Sequence, residues 1–208
     1  MKLTVLGATG GIGLEIVRQA IDLGHSVTAI VRSPEGLKAF RGRITVVRGD
    51  LLKSGELAVL LDGSDAVLSG FGPRLPFSKE DSDLLRRFAT SLTTAMRQSG
   101  VRRVVVVSTA FSFKDSIFPP ANLFGRLFFP GIVTDAAGME DIFQKAGLDC
   151  TIVRPPQLTN KPHTGKYRVV DGHLPTFGFN ISRADVADFI LKTINDPNTF
   201  GKIMGVSH

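Results

Sequence analysis

Leu3-Thr4-Val5-Leu6-Gly7-Ala8-Thr9-Gly10-Gly11-Ile12-Gly13 opens the chain with an apolar run that breaks into glycines and leads into a helical pattern. The spacing is Gly-x-x-Gly-x-x-Gly. Each glycine answers a separate steric need: Gly7 permits the tight turn, Gly10 lets backbone approach a pyrophosphate, and Gly13 allows close helix–strand packing. A helix start adds unpaired N–H groups and positive dipole potential. Gly7, Ala8, Thr9, Gly10, Gly11 and Ile12 are therefore candidate residues for binding the diphosphate of a dinucleotide. The competing reading is an ordinary glycine-rich turn. The strand before it and the helix after it favour the dinucleotide.

Beyond this turn, short apolar runs alternate with longer helical patterns, as β-α-β units feeding a parallel sheet do. The spacing predicts strands near 2–6, 26–31, 44–48, 65–69, 103–107 and 149–153. It predicts helices near 11–23, 33–40, 54–61, 79–98 and 135–146. Val104-Val105-Val106-Val107 lacks alternation, as befits a central strand covered on both faces. Ser78 and Asp81 resemble a capping box ahead of Leu84, Leu85, Phe88, Leu92, Ala95 and Met96, and Gly100 ends that pattern. After the sixth strand come Pro155-Pro156, an irregular stretch to Gly165, a short strand near 167–170, a helix near 183–194 and a strand near 203–206. The fold expected is α/β, a doubly wound, Rossmann-like parallel sheet in one domain spanning 1–208. Residues 154–208 would be a dependent extension packed over the substrate side, at the carboxyl ends of the strands.

The chain has 208 residues with 25 Lys+Arg against 19 Asp+Glu, and 43% hydrophobic residues, enough for a sizeable core. That composition excludes a disordered tail or a fibre. The single cysteine, Cys150, cannot form an internal disulfide or a cysteine-based zinc site alone. With no run of about 18 apolar residues and no room for a secretion signal before Leu3, the expectation is a cytoplasmic protein without a membrane partner. The net charge of +6 raises the question of nucleic acid. Arg32, Lys38, Arg41, Arg43 and Arg48 cluster, but no helix-turn-helix or aromatic-basic motif accompanies them. A phosphorylated small ligand needs only a few of these charges, so no nucleic-acid partner is expected.

After the second strand an acidic residue would bond the adenosine ribose hydroxyls, whereas this chain carries Arg32. A guanidinium matches a 2′-phosphate in charge and bonds it bidentately, so NADP(H) is the cofactor expected. A solvated arginine before Pro34 is the bland reading. Asp50, after the third strand, could accept from the adenine amino group or merely stabilise a turn. Gly70-Phe71-Gly72, after the fourth strand, leaves room for the cofactor near its nicotinamide end.

The parts for several chemistries are missing. The only tyrosine, Tyr167, is followed four residues later by Asp171 where the usual short-chain dehydrogenase has lysine. His25, His163, His173 and His208 show no metal-ligand spacing, so no metal is expected, and no serine sits in a nucleophile elbow. Ser108 and Thr109 remain, just past the valine strand where a nicotinamide would lie. They are the candidate catalytic hydroxyls, able to hold the carboxamide or polarise an acceptor, unless they only cap the strand. Phe111 and Phe113 are candidates for an apolar wall suited to a flat aromatic substrate. Phe124, Phe128 and Phe129, near helical spacing, read better as core or subunit contact. A conjugated ring can take its proton from solvent, so positioning and water exclusion would suffice.

At these residues the chain resembles the atypical short-chain reductases of the NAD(P)H-binding, NmrA-like type, and within them the biliverdin reductase B/flavin reductase family. The resemblance runs almost end to end. It rests on Gly7-Ala8-Thr9-Gly10, Val31-Arg32, Gly49-Asp50, Asp65-Ala66-Val67, Thr109-Ala110-Phe111, Pro155-Pro156, Thr164-Gly165-Lys166-Tyr167 and Ile181-Ser182. It implies a monomeric NADPH-dependent reductase of flavins or biliverdin-like tetrapyrroles, with Leu51, Pro155 and Pro156 along the cofactor. The family's active-site serine aligns with Thr109 and its substrate-side histidine with Gln157. Glutamine bonds hydrogen but does not transfer a proton near neutral pH. A second arginine for the 2′-phosphate aligns with Gly36, with Lys38 nearby.

The function expected is reduction of a flavin, quinone or tetrapyrrole by NADPH. The rival from another class is an NADP(H)-binding redox sensor without turnover, motivated by Gln157 and the absent tyrosine–lysine pair. That absent pair also disfavours a nucleotide-sugar epimerase.

Overall fold

The computed structural model describes residues 1–72, 83–110 and 130–208. Strands β1 (Lys2–Leu6), β2 (Ser26–Val31), β3 (Thr45–Arg48), β4 (Ala66–Ser69), β5 (Arg103–Val107) and β6 (Asp149–Arg154) pair in parallel in the order β3-β2-β1-β4-β5-β6. Helices α1 (Gly11–Asp22), α2 (Ser54–Leu61), α3 (Leu84–Ser99) and α4 (Pro130–Lys145) make the crossovers, with a 3₁₀ turn at Pro34–Phe40 between β2 and β3. From β1 the chain steps outward to β2 and β3, then returns to place β4 on the other side of β1. The crevice between the carboxyl ends of β1 and β4 is thus the switch point where ligands of such sheets bind.

Strand alternation explains the two cores. Val105 and Val153 join Ile12, Ile16 and Val17 of α1 on one face, while Val104, Val106 and Ile152 join Phe88, Leu92 and Met96 of α3 and Phe143 of α4 on the other. Both faces of β5 are closed, which is why its sequence shows no polar alternation.

The C-terminal part departs from expectation. Two three-residue strands that carry no sequence signal, β7 (Gln157–Thr159) and β9 (Asn180–Ser182), form a separate parallel pair. β8 (Arg168–Asp171) and β10 (Lys202–Ser207) do not lie over the carboxyl ends. β10 extends the sheet in parallel beside β6, and β8 closes it antiparallel. The physical reason is the edge: without β10, β6 would expose a row of unpaired backbone groups. α5 (Arg183–Lys192) packs along α1 through Val186, Ala187 and Ile190, and its first turn comes to the start of α1, where Arg183 meets Gly11.

Helix starts also differ. The capping box at Ser78 and Asp81 lies outside the described residues, and α3 is capped from another helix. The buried carboxylate of Asp135 on α4 accepts from the backbone amides of Leu85 at 2.7 Å and Arg86 at 3.1 Å. At the other end Gly100 takes φ +74, the left-handed conformation that ends a helix. Among the described residues, no helix is long and apolar enough to cross a membrane.

Candidate functional site

The turn after β1 is built by backbone meeting backbone. Gly7 adopts φ +70 and its carbonyl accepts from the amide of Gly10 at 2.9 Å. A Cβ at Gly13 would stand 2.1 Å from that same carbonyl oxygen, and a Cβ at Gly70 would stand 3.0 Å from the Gly13 nitrogen. Glycines of the turn, of α1 and of the β4 exit therefore interlock, and Gly70 serves the closeness of this approach. Ala8 is buried, and Thr9 lies against Gly36, whose Cβ would come within 3.1 Å of the Thr9 Cγ2. The N-cap of α1 is Gly10, which offers no side chain, and the first turn holds no acidic residue. The helix thus begins with amides that no side chain caps, which suits a phosphate.

Arg32 follows β2, is exposed, and pairs with no described carboxylate. Glu35, the nearest acid, is engaged elsewhere. The Ser33 hydroxyl donates to it, and this bond, with its own backbone amide and the charges of Lys38 and Arg48, holds its carboxyl below the usual range. Arg32, Lys38 and Arg48 therefore make a cationic corner at the tips of β2 and β3. Asp50 uses Oδ1 to accept from the amide of Leu52 at 3.0 Å, the turn-stabilising arrangement, and Leu51 is buried. Phe71 turns into the core, its ring 4.5 Å from that of Phe88, while no described residue would meet a Cβ at Gly72.

At the tips of β5 and β6 the chain is zipped beyond the sheet: Ser108 donates its amide to the Val153 carbonyl at 2.8 Å and Ala110 to that of Pro155 at 3.1 Å. This brings Ser108, Thr109, Pro155 and Pro156 together. Beneath them, the Ser108 hydroxyl donates to Oε1 of Glu140 at 2.5 Å. Arg154 Nε donates to the same oxygen at 2.9 Å, and its Nη2 to Oε2. Both charged side chains are buried, 4% and 10% exposed for Glu140 and Arg154. The Ser108 proton is committed to a carboxylate, so this hydroxyl can offer only lone pairs to a further partner. It suits an N–H donor such as a carboxamide. Sequence reasoning missed Glu140 and Arg154, although each is a charge in an apolar pattern: Glu140 between Ala136 and Phe143, Arg154 at the end of Cys150–Val153.

Tyr167 is a structural bracket. Its hydroxyl donates to Asp188 Oδ2 at 2.6 Å, its ring edge meets Phe189, and burial followed by the Asp188 carboxylate pushes its pKa far above the usual tyrosine value. Gln157 is exposed on β7, its amide donating to the Phe179 carbonyl at 3.3 Å. Phe111, Phe113, Phe124, Phe128 and Phe129 lie outside the described residues. Among the described residues no set of His, Cys, Asp and Glu is arranged to hold a metal.

The start of α5 is tightly held. Ser182 caps it by accepting from the Asp185 amide at 2.9 Å. The buried Asp185 carboxylate accepts from Ser182 Oγ at 2.7 Å and from the amides of Thr164 and Gly165 at 2.9 and 2.8 Å, with His208 Nε2 2.8 Å away. Burial raises its pKa, but these bonds together outweigh that and hold it well below the carboxylate range. Arg183, one residue past the cap, runs across Gly11 of the glycine turn. No sequence signal marked that contact.

A doubly wound parallel sheet with an uncapped, glycine-lined helix start at its switch point defines a dinucleotide-binding protein. The chain belongs to the NAD(P)H-binding family, whose model matches residues 7–197. An uncharacterised chloroplastic protein of Arabidopsis thaliana is 31% identical over 214 residues, covering 99% of this chain and 76% of that one. A solved structure from Bacillus halodurans, described as an NAD-dependent epimerase/dehydratase, superposes with a TM-score of 0.84 at 25% identity over 100% of this chain and 94% of the other. A short-chain dehydrogenase/reductase from Veillonella parvula, solved in complex with NADP, shares the fold with a TM-score of 0.82 at 19% identity, over 100% and 94% of the two chains.

Proposed function

We propose that the protein is an NADPH-preferring reductase that passes hydride to a flat conjugated acceptor, a flavin or quinone, with biliverdin-like tetrapyrroles in the same class. One observation carries this reading. The proton-transfer pair of carbonyl-reducing relatives is lacking, since the only tyrosine, Tyr167, is bonded to Asp188 in the C-terminal extension. A conjugated acceptor needs no such acid, because it takes its proton from solvent.

The bound cofactor supplies the hydride. The chain's residues hold and orient it: the amides of the Gly7–Gly13 turn on the diphosphate, Arg32 on the 2′-phosphate, and the lone pairs of Ser108 on the carboxamide N–H. Gly72 and Pro155-Pro156 would flank the nicotinamide end, and Thr109 would offer its hydroxyl to the acceptor. Ser108 is then a positioning residue and Thr109 the catalytic one. Gln157 lies on the substrate side as a hydrogen-bonding group that moves no proton.

The test is NADPH oxidation followed at 340 nm with FMN, riboflavin, biliverdin and quinones. Turnover with a flat acceptor but not with simple aldehydes and ketones is expected. Tight NADP(H) binding with no turnover on any of them would replace the reductase with a redox-sensing binding protein.

A further inference from the structure

We propose that Arg183, delivered by the C-terminal extension, is a diphosphate-binding residue of the dinucleotide site. The starting observation is steric. A Cβ on Gly11 would fall 2.5 Å from Arg183 Cδ and 2.7 Å from its Nε, so the arginine side chain occupies the volume beside the first residue of α1. Gly11 is thus the residue that makes room for this arginine, a requirement separate from those of Gly7, Gly10 and Gly13.

Electrostatics supplies the second observation. The start of a helix carries the positive end of its dipole, and a carboxylate is the group that normally favours that position. Here the cap is glycine, the first turn has no acid, and the group brought against it is a guanidinium. Arg183 forms no ion pair with a described residue, and its Nη1 donates to the neutral Oδ1 of Asn160 at 2.7 Å. Two positive potentials in one place, with no ion pair from a described carboxylate to either, match a doubly charged anion bound between them.

A purely mechanical role is already filled by other contacts. Gln19 Nε2 donates to the Ala184 carbonyl at 2.8 Å, and Val186, Ala187 and Ile190 pack on Ile12, Ile16 and Val17, so α1 and α5 are joined without Arg183. The Ser182–Asp185 cap fixes the helix end from which the arginine projects. The extension thereby contributes to the cofactor site directly.

The test compares two ligands by calorimetry or competition: 2′-phospho-ADP-ribose, which has the diphosphate, and adenosine 2′-phosphate, which lacks it. Arg183→Met, which keeps apolar cover over Gly11, is expected to weaken the first by about ten-fold or more and to leave the second unchanged. Arg183→Lys should recover part of the loss, and it serves alone if the methionine variant does not fold. Unchanged binding of 2′-phospho-ADP-ribose, or an equal loss for both ligands, would overturn the proposal. Wild-type protein that binds neither ligand would instead refute dinucleotide binding itself.

Discussion

The Ser108 hydroxyl and the Glu140 carboxylate are bonded at 2.5 Å across 32 residues of sequence, and Arg154 holds the same carboxylate with two of its nitrogens. The bond joins the tip of β5 to α4 and β6, so the site's serine is oriented by a buried ion pair. Glu140→Ala removes the carboxylate that accepts from two nitrogens of the buried Arg154 guanidinium and is expected to destabilise the fold by about 3–5 kcal/mol. Ser108→Ala removes one neutral donor and should be worth about 1 kcal/mol. Urea denaturation of both variants checks the ranking. Equal losses would mean that Arg154 is satisfied without Glu140.

Arg32 is unpaired among the described carboxylates, because Glu35 is taken up by Ser33. If Arg32 holds the 2′-phosphate, Arg32→Asp should weaken NADPH binding by about 2–3 kcal/mol. NADH binding should change little. Calorimetry with the two nucleotides reads the preference directly, and parallel losses for both would remove Arg32 from the 2′-phosphate.

Asp185 has a pKa below its unfolded value of 3.8, because the Ser182, Thr164, Gly165 and His208 bonds prevail over burial. For a carboxylate depressed in the folded state, the stability it contributes is present above the unfolded pKa and is lost as pH falls through the folded one. Wild-type stability should therefore fall as the pH drops below about 4. Asp185→Asn should be less stable at pH 7 and flatter across that acid range. Denaturation midpoints from pH 7 to pH 2.5 test the difference in slope.

Cys150 is 3% exposed, and burial pushes its thiol up to about 12, a shift that the nearby Arg103 opposes only in part. A thiol protonated at pH 8 is a poor nucleophile. Labelling by a disulfide reagent at that pH should be slow in native protein and fast in denaturant. Rapid native labelling would indicate that β6 opens locally.

Asp135 caps a helix to which it does not belong, accepting from the Leu85 and Arg86 amides. Asp135→Ala should cost about 1–2 kcal/mol, in the upper range for a lost cap, because the site is buried. A smaller loss in thermal melts would mean that water or another group takes over those amides.

Patterns confined to a few neighbouring residues were enough for the central sheet and its crossovers. Strands expected at 26–31 and 103–107 form at Ser26–Val31 and Arg103–Val107, and the glycine spacing located the turn where α1 starts. Exclusion of water from apolar faces acts through periodicity, and periodicity is written locally. β7 and β9 escaped because three residues show no period, and the two become strands by pairing with each other.

The chain's order of residues was sufficient to establish a parallel sheet, a glycine turn at the start of α1 and an arginine after β2, since each depends on steric and charge properties of adjacent positions. The Ser108–Glu140–Arg154 chain, the Asp135 cap and the crossing of Gly11 by Arg183 came from packing alone. Each joins segments whose meeting is set by which helix faces seat against the sheet. A buried charge must find its partner in three dimensions, and its position along the sequence does not say where that partner stands.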